Sequence, residues 1–110
     1  MKKNSSSSTL SEFGRFSEPA LLILISLADG PKHGYAMTED IRGIAEVRLG
    51  PGTLYGAIAR LESRGLIEAL ARDDRRNPYQ LTALGERSLR ERLASLAAVA
   101  RVGSERLAGA

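Results

Sequence analysis

Thr53, Tyr55, Arg60 and Arg64 stand within one short stretch, GPGTLYGAIARLESRGLI, running from Gly50 to Ile67. Hydroxyls and guanidiniums are hydrogen-bond donors suited to an anionic surface: both bond phosphate oxygens, and arginine also matches the paired acceptors on a guanine edge. Backbone N–H groups at a helix start add attraction for phosphate near Thr53 and Tyr55. A second cationic set, Arg72, Arg75 and Arg76, falls in ARDDRRNPY, where Asp73 and Asp74 partly neutralise it. Catalytic sets are missing. The adjacent carboxylates Glu39-Asp40 and Asp73-Asp74 have no candidate nucleophile beside them and read as a solvated helix face and a polar turn. His33 is the single histidine and cysteine is absent, so no zinc-type ligand set can be assembled and His33 reads as a turn hydrogen-bonding residue. Gly50-Pro51-Gly52-Thr53 lacks the Gly-Lys-Ser/Thr of a phosphate-binding loop. The expectation is a protein that is not an enzyme and uses no cofactor or metal.

The stretch carrying these donors reads as a helix over 51–64. Leu54, Ile58 and Leu61 recur at four- and three-residue intervals and make one inward stripe. Pro51 suits the first helical position, and Gly65 suits the left-handed residue just past the end. Thr53, Gly56, Arg60, Ser63 and Arg64 are left on the other side, a small, hydroxylic and cationic surface that fits an anionic groove. Tyr55 lies about 100° from Leu54, which leaves partial packing and a phosphate hydrogen bond equally open. Arg64 reads either as a contact or as a solvated residue paired with a nearby acid.

The remaining elements follow from periodicity and punctuation. Residues 1–8, MKKNSSSS, have low complexity and read as a disordered tail. Residues 9–16 read as a short helix with a capping box at Thr9 and Glu12 and with Leu10, Phe13 and Phe16 on one face. Ser17-Glu18-Pro19 opens a helix whose inward face is Leu21, Leu24, Ile25 and Ala28. A helix over 35–45 turns Met37, Ile41 and Ile44 inward, with Gly43 softening its end. Val47 and Leu49 alternate with polar residues as in a very short strand. Residues 66–70 and 79–81 read as two strands joined by a polar, turn-rich tip. Thr82 caps a final helix in which Leu89, Leu93, Leu96, Ala100, Gly103 and Leu107 alternate at four and three, a heptad seam. That seam either pairs with a second copy or folds back on its own domain; its length favours pairing.

Three helices, a hairpin and a trailing helix describe a mainly α (α+β) chain: a winged helix-turn-helix over 17–82 with a dimerisation helix over 83–110. The 110 residues have room for one compact domain and an extra element. The net charge of +3 permits a polyanionic partner without requiring one. The longest apolar run, from Ala20, is less than half of the ~20 residues a membrane span needs. Serines rather than an apolar segment follow Met1-Lys2-Lys3, so the expectation is a soluble cytoplasmic protein without a signal peptide or membrane partner.

Gly30-Pro31-Lys32-His33-Gly34-Tyr35, Pro51-Gly52-Thr53-Leu54-Tyr55, Arg60-Leu61-Glu62 with Gly65-Leu66-Ile67, and Tyr79-Gln80-Leu81-Thr82 with Gly85 together resemble the PadR-type transcriptional regulators. The resemblance covers about residues 18–90 and favours the smaller members with a single C-terminal dimerisation helix. It implies a winged-helix fold, a dimer and a usual role as repressor, and it suggests that the Tyr35 hydroxyl meets the DNA backbone rather than only packing in the core. Two departures touch the same face: Gly56 stands where members commonly have proline, and Asn77-Pro78 precede a single Tyr79 where consecutive aromatics are common.

The functional expectation is a homodimeric, sequence-specific repressor of double-stranded DNA, reading a palindromic operator with half-sites about 34–36 Å apart. Arg72, Arg75 and Arg76 would lie at the wing tip, against backbone or minor groove, unless they form only a solvated turn. The resemblance implies release by a small phenolic or drug-like effector, with Phe13, Phe16 and arm residues as candidate lining of an apolar pocket. The rival is a protein–protein module on a winged-helix scaffold without specific DNA binding.

Overall fold

Proline opens two helices of this chain, at the first position of each, where its missing N–H costs no intrahelical bond. The computed structural model describes residues 18–71 and 76–110. In order these form α1 (Pro19–Leu27), α2 (Gly34–Ala45), α3 (Pro51–Ser63), β1 (Ile67–Ala69), β2 (Tyr79–Leu81) and α4 (Ala83–Gly109). The expected tail, the short helix over 9–16, the Ser17 cap, and Arg72 and Arg75 lie outside the described residues.

Helix α1 is the hub, packing against α2, α3, β2 and α4. Its buried residues are Ile23, Leu24, Ser26 and Leu27, whereas the spacing had pointed to Leu21, Leu24, Ile25 and Ala28. Leu21 and Ile25 are only partly covered and Ala28 is exposed. The correction has a simple cause: PALLILISL is apolar nearly all round, so its spacing does not select a face, and neighbours on several sides do. The buried Ser26 is satisfied by donating its hydroxyl to Asp40 Oδ2 at 2.7 Å, a link between α1 and α2.

Met37 and Ile41 of α2, Leu54, Ala57, Ile58 and Leu61 of α3, with Val47, Leu49, Ile67 and Leu89, complete one core with α1. Val47 and Leu49 are buried as the alternation requires, but they lie in chain without regular secondary structure rather than in a strand. Ile44, expected inward, is 49% exposed because it sits in the last turn of α2, at the edge of the core. The helix ends at Ala45, where the sequence placed its end, and Glu46 caps it in a left-handed conformation with φ 57°.

The end of α3 is closed by a paired hydrogen-bond motif. Gly65, at φ 76°, donates to the Glu62 carbonyl at 3.0 Å, and Leu66 donates to the Leu61 carbonyl at 3.0 Å. That turn delivers the chain into β1. Strands β1 and β2 pair antiparallel, with Ile67 opposite Leu81 and Ala69 opposite Tyr79. The Asn77 amide donates to the Leu70 carbonyl at 2.9 Å, and Leu70 N–H donates to the Pro78 carbonyl at 2.8 Å, closing the ladder toward the tip. On its other edge β2 meets the α1–α2 loop, where Lys32 and Tyr79 exchange backbone bonds of 3.1 and 3.0 Å. The wing root is thus held from both sides.

Thr82 caps α4 as expected, its hydroxyl accepting from Gly85 N–H at 3.0 Å and donating to the Gly65 carbonyl at 2.6 Å. Helix α4 is 27 residues long, about 40 Å at ~1.5 Å per residue. Among the described residues its first three turns engage the domain, the third through Arg92 Nη2, which donates to Glu18 Oε2 at 2.5 Å. Leu89, expected to open the outward seam, is 5% exposed and belongs to the domain's own core. This corrects the seam, whose outward part starts at Leu93.

Candidate nucleic-acid interface

With Leu54, Ala57, Ile58 and Leu61 buried, the outward side of α3 is fixed. At about 100° per residue, Gly52, Gly56, Ala59 and Ser63 run along the line opposite the core. No long side chain stands on that line, so the helix backbone can approach a groove closely. Thr53 and Arg60 flank it on one side, and Tyr55 and Glu62 on the other; all four are exposed. A long helical side chain lies over the turn N-terminal to its own Cα. The Arg60 guanidinium does so, with Nη1 3.7 Å from where a Cβ on residue 56 would sit. Gly56, the departure from the family pattern, therefore lies beneath the arginine that the sequence marks as the leading contact. Arg64 is the exposed C-cap residue of α3, its N–H bonded to the Arg60 carbonyl at 3.2 Å.

Tyr55 and Tyr35 come together across two helices. Tyr35, the second residue of α2, is 69% exposed, and Tyr55 is 51% exposed. With Thr38, Arg48, Leu49, Gly50, Pro51 and Leu54 they line an open cleft of about 400 Å³ between α2 and the start of α3. Tyr55 is partly packed: its ring end lies against Gly34, where a Cβ would stand 2.8 Å from Cζ, while half of the side chain faces solvent. Thr38 is occupied locally, donating its hydroxyl to the Gly34 carbonyl at 3.2 Å.

Two cations of this side were not singled out from sequence. Arg48 stands between the buried Val47 and Leu49, so it points outward into the cleft; the same alternation would have revealed it. Arg42 lies on the Tyr35 side of α2 and donates to Glu39 Oε1 at 2.7 Å. That bond and the Arg42 charge hold the Glu39 carboxyl below its ordinary range, while the partnership raises the Arg42 guanidinium further. At the wing root, burial and then the fields of Glu62 and Tyr55 push the Tyr79 phenol above its ordinary value, so it stays neutral at physiological pH. Arg76 is exposed beyond the last ladder bond of the wing.

Past Leu89 the arm offers a second surface. Leu93 and Leu96 are each 41% exposed, and Ala100, Gly103 and Leu107 are exposed as well. The apolar surface is broader than the heptad seam. Ala98, Val99 and Val102 add a neighbouring stripe and, with Gly103 and Arg106, line a shallow apolar depression.

A profile of the transcriptional regulator PadR-like family matches residues 23–91, which span α1 to the first turns of α4. The chain belongs to that family. PadR-like proteins are transcriptional regulators, not enzymes. A PadR family transcription regulator from Clostridium difficile R20291 shares 26% identity at a TM-score of 0.73, covering 81% of this chain and 97% of its own. A PadR family transcriptional regulator from Eggerthella lenta DSM 2243 shares 28% at 0.74, covering 94% and 92%. An uncharacterized 37.1 kDa protein in transposon TN4556 of Streptomyces fradiae is 43% identical over 83 residues, 76% of this chain. The chain spans only 24% of that relative's length. Among the described residues of this PadR-like chain, no group of His, Cys, Asp or Glu is placed to hold a metal ion. None of its described helices is long and apolar enough to cross a membrane.

Proposed function

We propose that two copies of this chain pair through α4 and act as a repressor, each copy presenting α3 to the major groove of a palindromic operator. The observation that carries this reading is the outward side of α3: a line of small residues flanked by Thr53 and Arg60, beside the exposed Tyr35 and Tyr55. Small residues bring the helix close to base edges, and the flanking hydroxyls and guanidiniums match phosphates and guanine. Thr53, Tyr55, Arg60 and Arg64 act from α3, Tyr35 from α2, and Arg72, Arg75 and Arg76 from the wing.

Pairing is supported by the arm. Residues 90–110 are exposed throughout in the single chain, although Leu93, Leu96, Val99, Val102 and Leu107 are apolar. A second arm is the natural cover for so long an apolar helix. Release by a small molecule is assigned to the cleft of about 380 Å³ at the arm's root, where Leu27, Leu81, Leu89 and Leu93 meet Gln80, Glu86 and Arg90. A ligand seated there touches both α4 and the wing, so it favours one arm angle over another and shifts the spacing of the two α3 helices.

The test is a footprint on the DNA flanking the chain's own gene, followed by a salt titration of the protected duplex. Two symmetric half-sites one helical turn apart, and affinity that falls steeply with salt, are expected. Binding to a protein partner that is insensitive to salt, with no protected DNA, would replace this reading by the protein–protein module.

A further inference from the structure

The α2 helix carries a carboxylate on the side that bears Tyr35, which shares a cleft with Tyr55. Tyr35, Glu39 and Arg42 fall on one side of α2, opposite the buried Met37 and Ile41. Arg42 Nη2 meets Glu39 Oε1 at 2.7 Å. The positive field of Arg48, which lines the cleft with Tyr35 and Tyr55, reaches Glu39 as well, and Arg42 in turn lies within the field of Tyr35. One acid is therefore paired with one guanidinium on the helix side that carries Tyr35.

This pair does little for the fold. Its side chains are 36% and 51% exposed, and solvated ion pairs one turn apart on a helix contribute little to stability. Its consequence lies in what approaches that side. A guanidinium that neutralises a phosphate releases a condensed counterion, and this release is the main sequence-independent drive for binding. A guanidinium already matched by a carboxylate releases little, and the carboxylate itself repels phosphate.

We propose that Glu39 is a built-in counter-charge that withholds Arg42 from the phosphates of duplex DNA. It thereby weakens indiscriminate binding and leaves selection to the base contacts of α3. Competing non-operator sites in a genome are in vast excess, so lowering this background raises the fraction of protein on its operator. The proposal rests on the reading of this side as the DNA-binding side.

The experiment measures binding of the full chain to a fluorescein-labelled duplex of mixed sequence, about 30 base pairs long, from about 50 to about 300 mM KCl. Glu39→Gln is expected to bind about 3- to 10-fold tighter at about 0.1 M salt, with the slope of log K against log salt steeper by about one per protomer. Arg42→Gln alone is expected to stay within about twofold of the wild type, and adding it to Glu39→Gln is expected to remove most of the gain. Glu105→Gln removes the same charge from an ion pair with Arg101 on α4 and is expected to bind like the wild type. The proposal is overturned if Glu39→Gln matches a wild type whose binding is salt-sensitive, or if Glu105→Gln gains as much. A wild type that binds no duplex overturns the DNA-binding reading itself, and this proposal with it. Thermal melts of all variants accompany the titrations, since each change is at an exposed side chain.

Discussion

The Tyr55 ring end occupies the space in front of the Gly34 Cα, so a side chain at residue 34 and the present position of Tyr55 exclude each other. The obstruction is the far end of a side chain that is half exposed and can swing toward solvent. Gly34→Ala should therefore move Tyr55 without breaking the core. Tm is expected to stay within about 3 °C, a stability change well below 1 kcal/mol. Operator affinity is expected to fall by about 1 kcal/mol, the scale of one misplaced hydrogen bond, and Tyr55→Phe should cost a similar amount. Fluorescence anisotropy on the footprinted operator checks both. Unchanged affinity in both variants removes Tyr55 from the interface.

Arg60 flanks the small outer line of α3, its guanidinium reaching back toward Gly56. Arg60→Ala should cost about 1–3 kcal/mol on the operator and relax the preference at one base pair, as expected for a guanidinium on a guanine edge. Equal weakening on every sequence, with a salt slope shallower by about one, would assign it to phosphate instead. A panel of singly substituted operators distinguishes the two.

The parts of this fold legible in sequence were those with local signals. Pro51 and Gly65 bracketed α3, its 4-3 spacing chose the buried face correctly, and Thr82 announced α4. Where the local signal was weak, tertiary contacts decided. The all-apolar α1 took its orientation from its neighbours, and Glu46 took the left-handed turn although glycine stood three residues earlier. Leu89 fitted a heptad seam and was nonetheless captured by the core, because the first turns of α4 cross its own domain. In the candidate site, type and spacing marked Thr53, Tyr55 and Arg60, and the family resemblance marked Tyr35; all four are exposed. Arg42 and Arg48 were passed over because each lies outside the capped helix on which the basic pattern was read. The meeting of Tyr55 with Gly34 has no sequence signal, since 21 positions separate them.

Tyr79 gives the chain an alkaline signature. Burial raises its folded pKa above the ordinary 10.0. Below 10.0 the phenol is neutral in both states and the stabilisation it reflects is fully present. As pH rises past 10.0 toward the higher folded value, the unfolded chain loses its proton first and stability falls. Tyr79→Phe lacks this proton, so its urea midpoint should decline less than the wild type's between about pH 9 and about pH 11. Parallel declines would mean that the phenol is not shielded from water.

Leu89 and Leu96 lie two turns apart on α4 but should fail in different ways. Leu89→Ala empties a core position and is expected to cost about 2–5 kcal/mol of domain stability. Leu96→Asp places a charge on the exposed arm, so the domain should stay folded while the pair dissociates. Sedimentation should then report single chains, and operator affinity should drop by at least about 100-fold, because the second half-site is no longer tethered. A folded dimer carrying Leu96→Asp would move the pairing surface to the Val99 and Val102 stripe.

Gly85 and Gly43 should respond to the same substitution with opposite signs. A Cβ at residue 85 would run into the Leu66 carbonyl, its carbon only 2.9 Å away, at the point where Thr82 N–H also bonds that oxygen at 3.1 Å. Backbone cannot swing aside as the Tyr55 ring can. Gly85→Ala must push the start of α4 away from the wing root, an overpacking cost of about 1–3 kcal/mol. Gly43 sits inside α2 with no atom within 4 Å of its missing Cβ. There alanine adds no clash and restrains the unfolded chain, so Gly43→Ala should stabilise by about 0.5–1 kcal/mol. Urea unfolding of both variants at one protein concentration tests the pair. A neutral Gly85→Ala would mean that α4 is free to shift on the wing, and the arm angle would then not be fixed by this contact.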